Sequence, residues 1–525
     1  MIPKKTAKLV VKDTIGNLVQ IIPEIYVDGK LAADGTEPVA NRAVAAAVNE
    51  LSAKASVKPE VKIVEEEPTS QNAASLPSKS LIAWLQPEIE SWSITIDTEG
   101  ADTGERTGEI PFCLLGAEDV SILVDWGDGT VEKHTSADAL SMTCIKHEYE
   151  TAGVYSIRME SSGFSQLYLW TYSAGAETYA ATLKTVDSPL PAVAGVRTWY
   201  YEQGMGGDGY IANVDNMMYG CFDGCGILQS IPSGVFDANP ASTSFEKCFT
   251  NCHSLMTIPS GIFDRHTAAT SFNSCFYCTA LQSIPSGLFD HNAAAVDFAY
   301  CFERCELLSS IPSGLFRNNA VARTFYGCFD SCDSLVAVPS GLFSGCPAAE
   351  SFINCFAFCG SLVSISANAF AGCTEAKYFH DCFYNCYSLE TIPSSLFNAC
   401  TKAVSFEECF AACYSLVSIP ENLFANNTAA LSFDECFGSC SSLASVPENL
   451  FANNTAATDF DYCFRWCSAL EDFAIRIGSS NVTNASTFAT KKAGTTRTVY
   501  VPSGSTTYNT FDVNASYLGL TIVQE

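Results

Sequence analysis

Cysteine raises the first chemical question in this sequence. The chain carries 25. Twenty of them form ten Cys-Phe…Cys pairs, beginning at Cys221, Cys248, Cys275, Cys301, Cys328, Cys355, Cys382, Cys409, Cys436 and Cys463. Cys346, Cys373 and Cys400 make a second ladder with a 27-residue step, and Cys113 and Cys144 lie outside the array. The C-x-x-x-C spacing, shortened by one residue at Cys275 and Cys278, raises the question of metal ligation. Structural zinc sites, however, gather four ligands from two short motifs. Both cysteines of a pair also share the inward face that carries Phe249. Two cysteines one helical turn apart on one face are poorly placed for a disulfide with each other. Buried apolar thiols are therefore expected, with no metal and no cofactor.

Other chemistry is sparse. The six histidines, His134, His147, His253, His266, His291 and His380, are scattered, and none stands in an H-E-x-x-H pair. There is no Gly-x-Ser-x-Gly, P-loop or dinucleotide fingerprint. Carboxylates are plentiful, so a pair suited to glycoside hydrolysis is one chemical option. Repeats, however, spread residues into ladders, whereas an active site needs a unique constellation. No catalytic residue is assigned, and the expectation is a protein that is not an enzyme.

The elements that hold these residues follow from one repeated phrase, Ser244-Phe-Glu-Lys-Cys-Phe-Thr-Asn-Cys-His-Ser-Leu-Met-Thr-Ile-Pro-Ser-Gly-Ile-Phe263. Its ten copies recur every 27 residues, with one slip to 26 between Cys275 and Cys301. A fixed period in the twenties is the signature of stacked units that bury a face only against their neighbours. Phe245, Cys248, Phe249 and Cys252 fall at i, i+3, i+4 and i+7 and predict one face of a helix, which Ala241 extends backwards. Leu255 and Ile258 predict a short strand stopped by Pro259, Ser260-Gly261 turns the chain, and Ile262-Phe263 re-enter the core. The fold class expected is an α/β repeat solenoid, with a narrow parallel sheet on one side and short helices on the other. At ~4.8 Å per strand, ten copies would span on the order of 50 Å. Where the second ladder has cysteine, other copies carry Asn239, His266, Asn292, Asn319, Asn427 and Asn454. That alternation predicts a buried turn position whose side chain bonds the backbone of the next coil.

These phrases resemble leucine-rich repeats of the BspA-like bacterial-surface type. Asn213-Val-Asp-Asn-Met-Met-Tyr-Gly-Cys-Phe222 and Asn368-Ala-Phe-Ala-Gly-Cys373 match that family's two usual segments, and the resemblance covers roughly residues 182–490. It implies a ligand-binding or adhesive scaffold.

Upstream, Leu9-Val-Val11 and Leu18 to Ile22 predict two strands, and Asn41 to Leu51 a helix. Val44, Val48 and Leu51 form a stripe on that helix, suited to packing two or three chains together or to packing on the hairpin. This opening is similar to the N-terminal anchors of phage head and tail fibres. Residues 56–80 are polar and proline-bearing and predict a semi-extended linker. Ser93–Ile96, Ser121–Val124, Tyr155–Arg158 and Leu167–Leu169 predict an all-β unit. There Val124-Asp-Trp-Gly-Asp-Gly-Thr130, His147-Glu-Tyr149 and Ala152-Gly-Val-Tyr155 resemble the PKD domain, an immunoglobulin-like sandwich. The resemblance implies that the turn is structural, and Asp125 and Asp128 are expected to serve it rather than a Ca²⁺ ion. The segment Leu183-x-x-Val186-Asp-Ser-Pro-Leu190 predicts an opening half-repeat that caps the stack. An insertion, Arg197 to Tyr210, embeds aromatics in glycines; it is either a contact loop or an end plug built on Trp199 and Tyr200. After Leu470 the period dissolves, and Thr498–Val501 and Gly519–Val523 predict two closing strands.

The domain plan is therefore 1–55 anchor, 56–87 linker, 88–170 PKD-like sandwich, 171–490 repeat array and 491–525 C-terminal cap. A net charge of −29 argues against nucleic acid and anionic membrane as partners. No run of 18 apolar residues exists, so no membrane insertion is expected. The opening residues Met1 to Asp13 contain no apolar h-region and no cleavage site. The expectation is a virion protein assembled in the bacterial cytoplasm, where thiols stay reduced. The alternative is a cell-surface adhesin whose leader is missing from this sequence.

Positions that vary between copies should face outward. They supply the candidate binding surface: Tyr277, Tyr300, Tyr326, Tyr384 and Trp466, with Trp199, Tyr200, Tyr201 and Tyr210 of the insertion. The function expected is a phage fibre, of head or tail, that self-associates through its N-terminal region as a trimer or dimer. Residues 1–55 would meet capsid or tail proteins, and the repeats a host surface glycan or protein. A BspA-like adhesin is the second reading and a carbohydrate-active enzyme the third.

Overall fold

The computed structural model describes residues 5–12, 18–27, 60–64, 80–84, 90–98, 112–136, 143–145, 147, 149–151, 153–172, 183–188, 190, 195–200 and 220–525, the last apart from 486 and 491–493. The expected helix over 41–51, with Val44, Val48 and Leu51, lies outside these residues, as do Tyr201 and Tyr210.

Four strands form the first sheet: β1 (Lys5–Lys12), β2 (Leu18–Val27), β3 (Glu60–Val64) and β4 (Ser80–Trp84), in the order β2-β1-β4-β3. The β1–β2 hairpin matches the two strands expected. The linker does not: β3 and β4 take two stretches of it into the sheet, β4 running parallel to β1 with Leu81 opposite Leu9. The period-2 alternation of Glu60-Val-Lys-Ile-Val64 explains why this stretch pairs as a strand despite its polar flanks.

The second sheet contains β5 (Glu90–Asp97), β6 (Phe112–Asp125), β7 (Val131–Ser136), β8 (Thr143–Ile145), β9 (Val154–Tyr172), β10 (Leu183–Val186) and β11 (Gly195–Tyr200). Its order is β10-β5-β9-β6-β7, with β8 also on β6 and β11 also on β9. Alternate residues point inward: Trp92, Ile94 and Ile96 of β5, Ile122 and Val124 of β6, and Ile157 and Met159 of β9 are all buried.

Strand β10 joins this sheet to the repeats. It pairs antiparallel with β5, Val186 opposite Ile94. On its other side Thr185 forms a parallel bridge to Ser230, the Gln229 N–H donates to the Lys184 carbonyl at 2.8 Å, and the Val186 N–H donates to Ser230 O at 3.2 Å. The expected opening half-repeat is thus an edge strand of the β unit and the first rung of the repeats at once.

From residue 220 onward each 27-residue coil stacks on the next. Parallel bridges run without a break through Ser244, Ser271, Asp297, Thr324, Ser351, Tyr378, Ser405, Ser432, Asp459 and Asn484. Three phenylalanine columns fill the interior. In the column through Phe245, Phe272 and Phe298, successive rings lie 5.6 Å apart, tilted by 8° or less. Phe249, Phe276 and Phe302 start the second, at 5.3 and 5.4 Å. Phe263, Phe289 and Phe316 run in the third, at 6.1 and 5.7 Å. Rings of different columns meet edge-on, as Phe263 and Phe272 do at 4.9 Å and 64°, which is the packing that ring quadrupoles favour.

The half-repeat expected as a helix is not one. The inward set Phe245, Cys248, Phe249 and Cys252 is buried as read, but two successive tight turns present it. Cys248 N–H donates to Phe245 O at 3.2 Å and Cys252 N–H to Phe249 O at 3.3 Å. Between them Lys247 and Asn251 take φ of +56° and +59°, which no helix tolerates. Alternate N–H groups leave the coil: those of Phe245, Lys247, Phe249 and Asn251 donate to Ser271, Asn273, Cys275 and Tyr277 of the next coil at 2.8–2.9 Å. A helix would have kept these bonds within the segment. Stacking offers every one of them a partner next door, which offsets the ~1–2 kcal/mol cost of each left-handed residue. The α part of the expected α/β repeat is therefore absent from the coils. The expected strand half is also brief: among the described residues only β12 (Ala337–Val338) and β13 (Ser364–Ile365) form a named ladder there.

Three parallel strands close the array: β14 (Phe473–Arg476), β15 (Arg497–Val501) and β16 (Thr521–Gln524). A helix, Thr506–Leu518, connects the last two. It buries Phe511 edge-on against Phe488 at 5.1 Å.

Candidate functional site

Each pair of turns directs two pairs of side chains away from the core, so varied residues line up in columns on one face. Glu246, Asn273, Ala299, Tyr326, Ile353, His380, Glu407, Asp434 and Asp461 follow one another, and each is neighboured by a residue of positive φ or a glycine. Tyr300 meets Tyr326 of the next coil at 4.9 Å and 65°. Tyr384 meets Phe358 of the preceding coil at 5.2 Å and 75°. In the last full coil the Arg465 guanidinium lies 3.7 Å from the Trp466 ring and 4.6 Å from Tyr462, a cation–π sandwich. Trp466 remains 53% exposed and Phe358 43%. Tyr277 lies beside Arg304 of the next coil.

The structure thus places Tyr277, Tyr300, Tyr326, Tyr384 and Trp466 on one face, in pairs rather than as a single patch. Phe358 was missed. Its signal was a ring at a column position where other coils carry Asn251, Arg304, Ser331 or Asn385. Trp199 and Tyr200 lie on β11, opposite Thr171 and Tyr172 of β9, so this part of the expected loop is strand.

Between the aromatic pairs the face is acidic. His380 bonds Asp381 at 2.8 Å and Glu407 at 3.3 Å. The Asp381 bond and the two carboxylates, working against burial, raise the imidazole to about 9. Burial, then the charges of Asp459, Glu407, Asp461 and Glu435, push Asp434 up to about 7. Burial likewise lifts Glu303 to about 7 and Asp330 to about 6.

The cysteines have a structural task. The Cys332 thiol donates to Phe302 O of the preceding coil at 3.2 Å, and Cys359, Cys386 and Cys440 repeat the bond at 3.1–3.2 Å. Burial drives these thiols up, to about 12 at Cys305 and Cys413, so they are not nucleophiles. The asparagine column does the same with two bonds. Asn427 Nδ2 donates to Phe397 O at 3.2 Å and Cys400 O at 2.8 Å. The partner is the preceding coil, not the next one as expected. Cys346 and Cys373 make a single, longer thiol bond at the same position, at 3.4 and 3.5 Å.

In the β unit, Asp125 Oδ1 accepts the Gly127 N–H at 3.1 Å and Asp128 Oδ1 accepts the Thr130 N–H at 2.8 Å. Asp128 Oδ2 meets His147 Nε2 at 2.7 Å. Burial raises the Asp128 carboxyl, but the bonds from His147 and Thr130 outweigh it and hold the group below its ordinary value. Both aspartates are thereby engaged in the turn. His147 stacks on Trp126 at 4.6 Å, and the Tyr149 hydroxyl donates to Trp126 O at 2.9 Å. Gly127 has φ +79°, and a Cβ there would lie 2.5 Å from Ser156 O, so glycine is required.

Among the described residues no helix is long and apolar enough to cross a membrane, and no group of three or more His, Cys, Asp or Glu is arranged to hold a metal ion. No family model matches the chain, and no curated protein matches it.

Proposed function

We propose that the chain is a structural, non-enzymatic protein of a phage virion. In this reading it is a head or tail fibre whose N-terminal region mounts and self-associates, whose PKD-like unit acts as a spacer, and whose leucine-rich-type coils contact the bacterial surface. One observation carries the reading. Inward positions repeat Phe, Cys and Leu from coil to coil, whereas the outward columns vary along the array and gather aromatic rings among carboxylates. Such a surface suits recognition of a host glycan or protein. Ladders without a unique constellation do not suit catalysis.

Mass spectrometry of density-purified phage particles from the source material tests this. Recovery of the chain in constant ratio to capsid proteins is the expected result. Absence from particles, with recovery from shaved bacterial cells, would replace it with the second reading, a BspA-like adhesin, which the repeated Met-Phe-x-x-Cys-like and Ala-Phe-x-x-Cys phrases favour.

A further inference from the structure

We propose that the coils bind an uncharged polysaccharide chain laid lengthwise along one charge-poor stripe of the array. This rests on the reading that the coils contact a bacterial surface, and it names the chemistry met there. The stripe consists of the two residues between each inward Leu and the Ile or Val that follows, Met256 and Thr257 in the phrase Leu255-Met-Thr-Ile258. From Gln229–Ser230 to Ala444–Ser445 both are exposed in every coil, Ala337 alone being half-buried. Nine coils with two positions each give eighteen side chains, and one of them, Glu390, is charged. The second position is Ser or Thr in every coil but that of Ala337, and the first supplies Met256, Val336, Val363 and Val417, each 38–53% exposed. Tyr387 and Tyr414, two residues before an inward Leu, flank the stripe in adjacent coils at 48% and 47% exposure. A Cβ at Gly360 would collide with the Tyr387 ring, so that ring rests on the preceding coil.

Charge selects the occupant. The chain carries −29, which repels a polyanion, and the carboxylates of the turns, not this stripe, would draw a polycation. An uncharged chain meets neither effect, and covering these residues strips almost no ion of its water. Size selects it further. Three residues of strand span roughly 10 Å, and nine coils at ~4.8 Å per step about 40 Å. The resulting ~400 Å² is half the ~800 Å² that each partner of a stable protein interface buries, so a single extended polymer fits where a folded protein does not.

Backbone use separates a glycan from a peptide. Val363 N–H donates to Val336 O at 2.9 Å and Ala444 N–H to Val417 O at 3.0 Å, so this column is bonded from coil to coil. An extended peptide joins a sheet through backbone groups at an open edge. This face instead offers a row of hydroxyls, which donate and accept alike as a polyol requires, beside the apolar bodies of Val and Tyr for the sugar C–H groups.

For the test, surface polysaccharide from bacteria of the source material is freed of protein with protease and split by anion exchange into an uncharged and an acidic fraction. Each fraction is immobilised, and retention of the full chain is measured beside its binding to intact cells. Retention on the uncharged fraction is expected, at least tenfold weaker in the double variant Val363→Glu, Val417→Glu. Glu390 stands in the same column, so the fold accepts a carboxylate there, and an unchanged urea midpoint checks it. Tyr414→Ser, which adds no charge, should also weaken retention, whereas Val513→Glu on the closing helix, 78% exposed, should not. Retention on the acidic fraction alone, or undiminished retention of both stripe variants, would overturn the proposal. So would cell binding that protease treatment of the cells abolishes, which would indicate a protein partner. Cells that bind the chain while the uncharged fraction does not would overturn the stripe and leave the host-contact reading standing; cells that bind nothing would overturn both.

Discussion

Thr279 occupies the position that every other coil gives to its second cysteine. Its hydroxyl donates to Phe276 O at 3.0 Å and meets the Cys305 thiol at 3.2 Å, so the column runs on through an oxygen. Cys275 and Cys278 are therefore not a shortened pair. The missing residue lies after Thr279, where Leu281 follows by two positions instead of the three between Cys252 and Leu255. Cys278 belongs to the outward column of Asn251 and Arg304, at φ +56°.

One consequence concerns labelling. Burial raises the Cys278 thiol while Arg304 beside it pulls the other way, and it is the one coil thiol that is not fully buried. Brief native alkylation at mildly alkaline pH should modify Cys278 ahead of every other coil cysteine, as peptide mapping would show. In Thr279→Cys the new thiol should stay unlabelled until the chain unfolds.

The asparagine column sets up a graded series. Asn319 Nδ2 donates to Asn292 O at 3.0 Å and Phe289 O at 3.4 Å. Asn319→Ala leaves both buried carbonyls without that donor and should cost about 1–3 kcal/mol. Asn319→Cys should cost less, because the thiol can repeat the Cys346 bond. Urea midpoints for the two variants check the order; equal losses would contradict the role assigned to Nδ2.

Backbone conformation gives a second series. Asn385 sits at φ +56°. Asn385→Gly should be neutral or slightly stabilising, whereas Asn385→Val, β-branched in a left-handed position, should lose on the order of 1–3 kcal/mol. In a true helix the ranking would reverse, because glycine is the poorer helix former.

Stability should fall as pH rises from 5 to 9.5. Asp434 has a folded value near 7 against an ordinary 3.8. The folded state thus binds the extra proton, and this contribution is complete below about 3.8 and lost as pH rises through 7. His380, raised to about 9 from 6.5, contributes fully below 6.5, and its share is lost as pH rises through 9. Denaturant midpoints should show Asp434→Asn flattening the lower part of the curve and His380→Gln the upper part.

Much of the array was legible because burial follows the period: Phe245, Cys248, Phe249 and Cys252 were placed inward correctly. Their spacing could not separate a helix from two linked turns, since both return to the same face after three and four residues. What distinguishes them is the residue between. Gly220, Gly224 and Gly327, with Asn251, Asn354, Asp381 and Asn385, are types that tolerate the left-handed positions, but Lys247, Tyr300, Phe358 and Trp466 hold the same conformation, so residue type marks these positions only in some coils. The outward face was legible as variation within a column, which located Tyr300 and Tyr326. Their contact was not, because it depends on which columns of adjacent coils touch. Two strands inside the expected linker were hidden by their charged and proline-bearing flanks.

The unbroken phenylalanine columns also bear on inheritance. Because neighbouring coils present the same inward residues in the same register, excising one whole period, such as residues 325–351, brings Phe298 onto Phe352 and leaves all three columns continuous. Recombination between near-identical gene segments can therefore lengthen or shorten the array by about 4.8 Å per coil without a new folding solution. Each such event also changes which outward side chains become neighbours, so reach and recognition vary together in whole-coil steps.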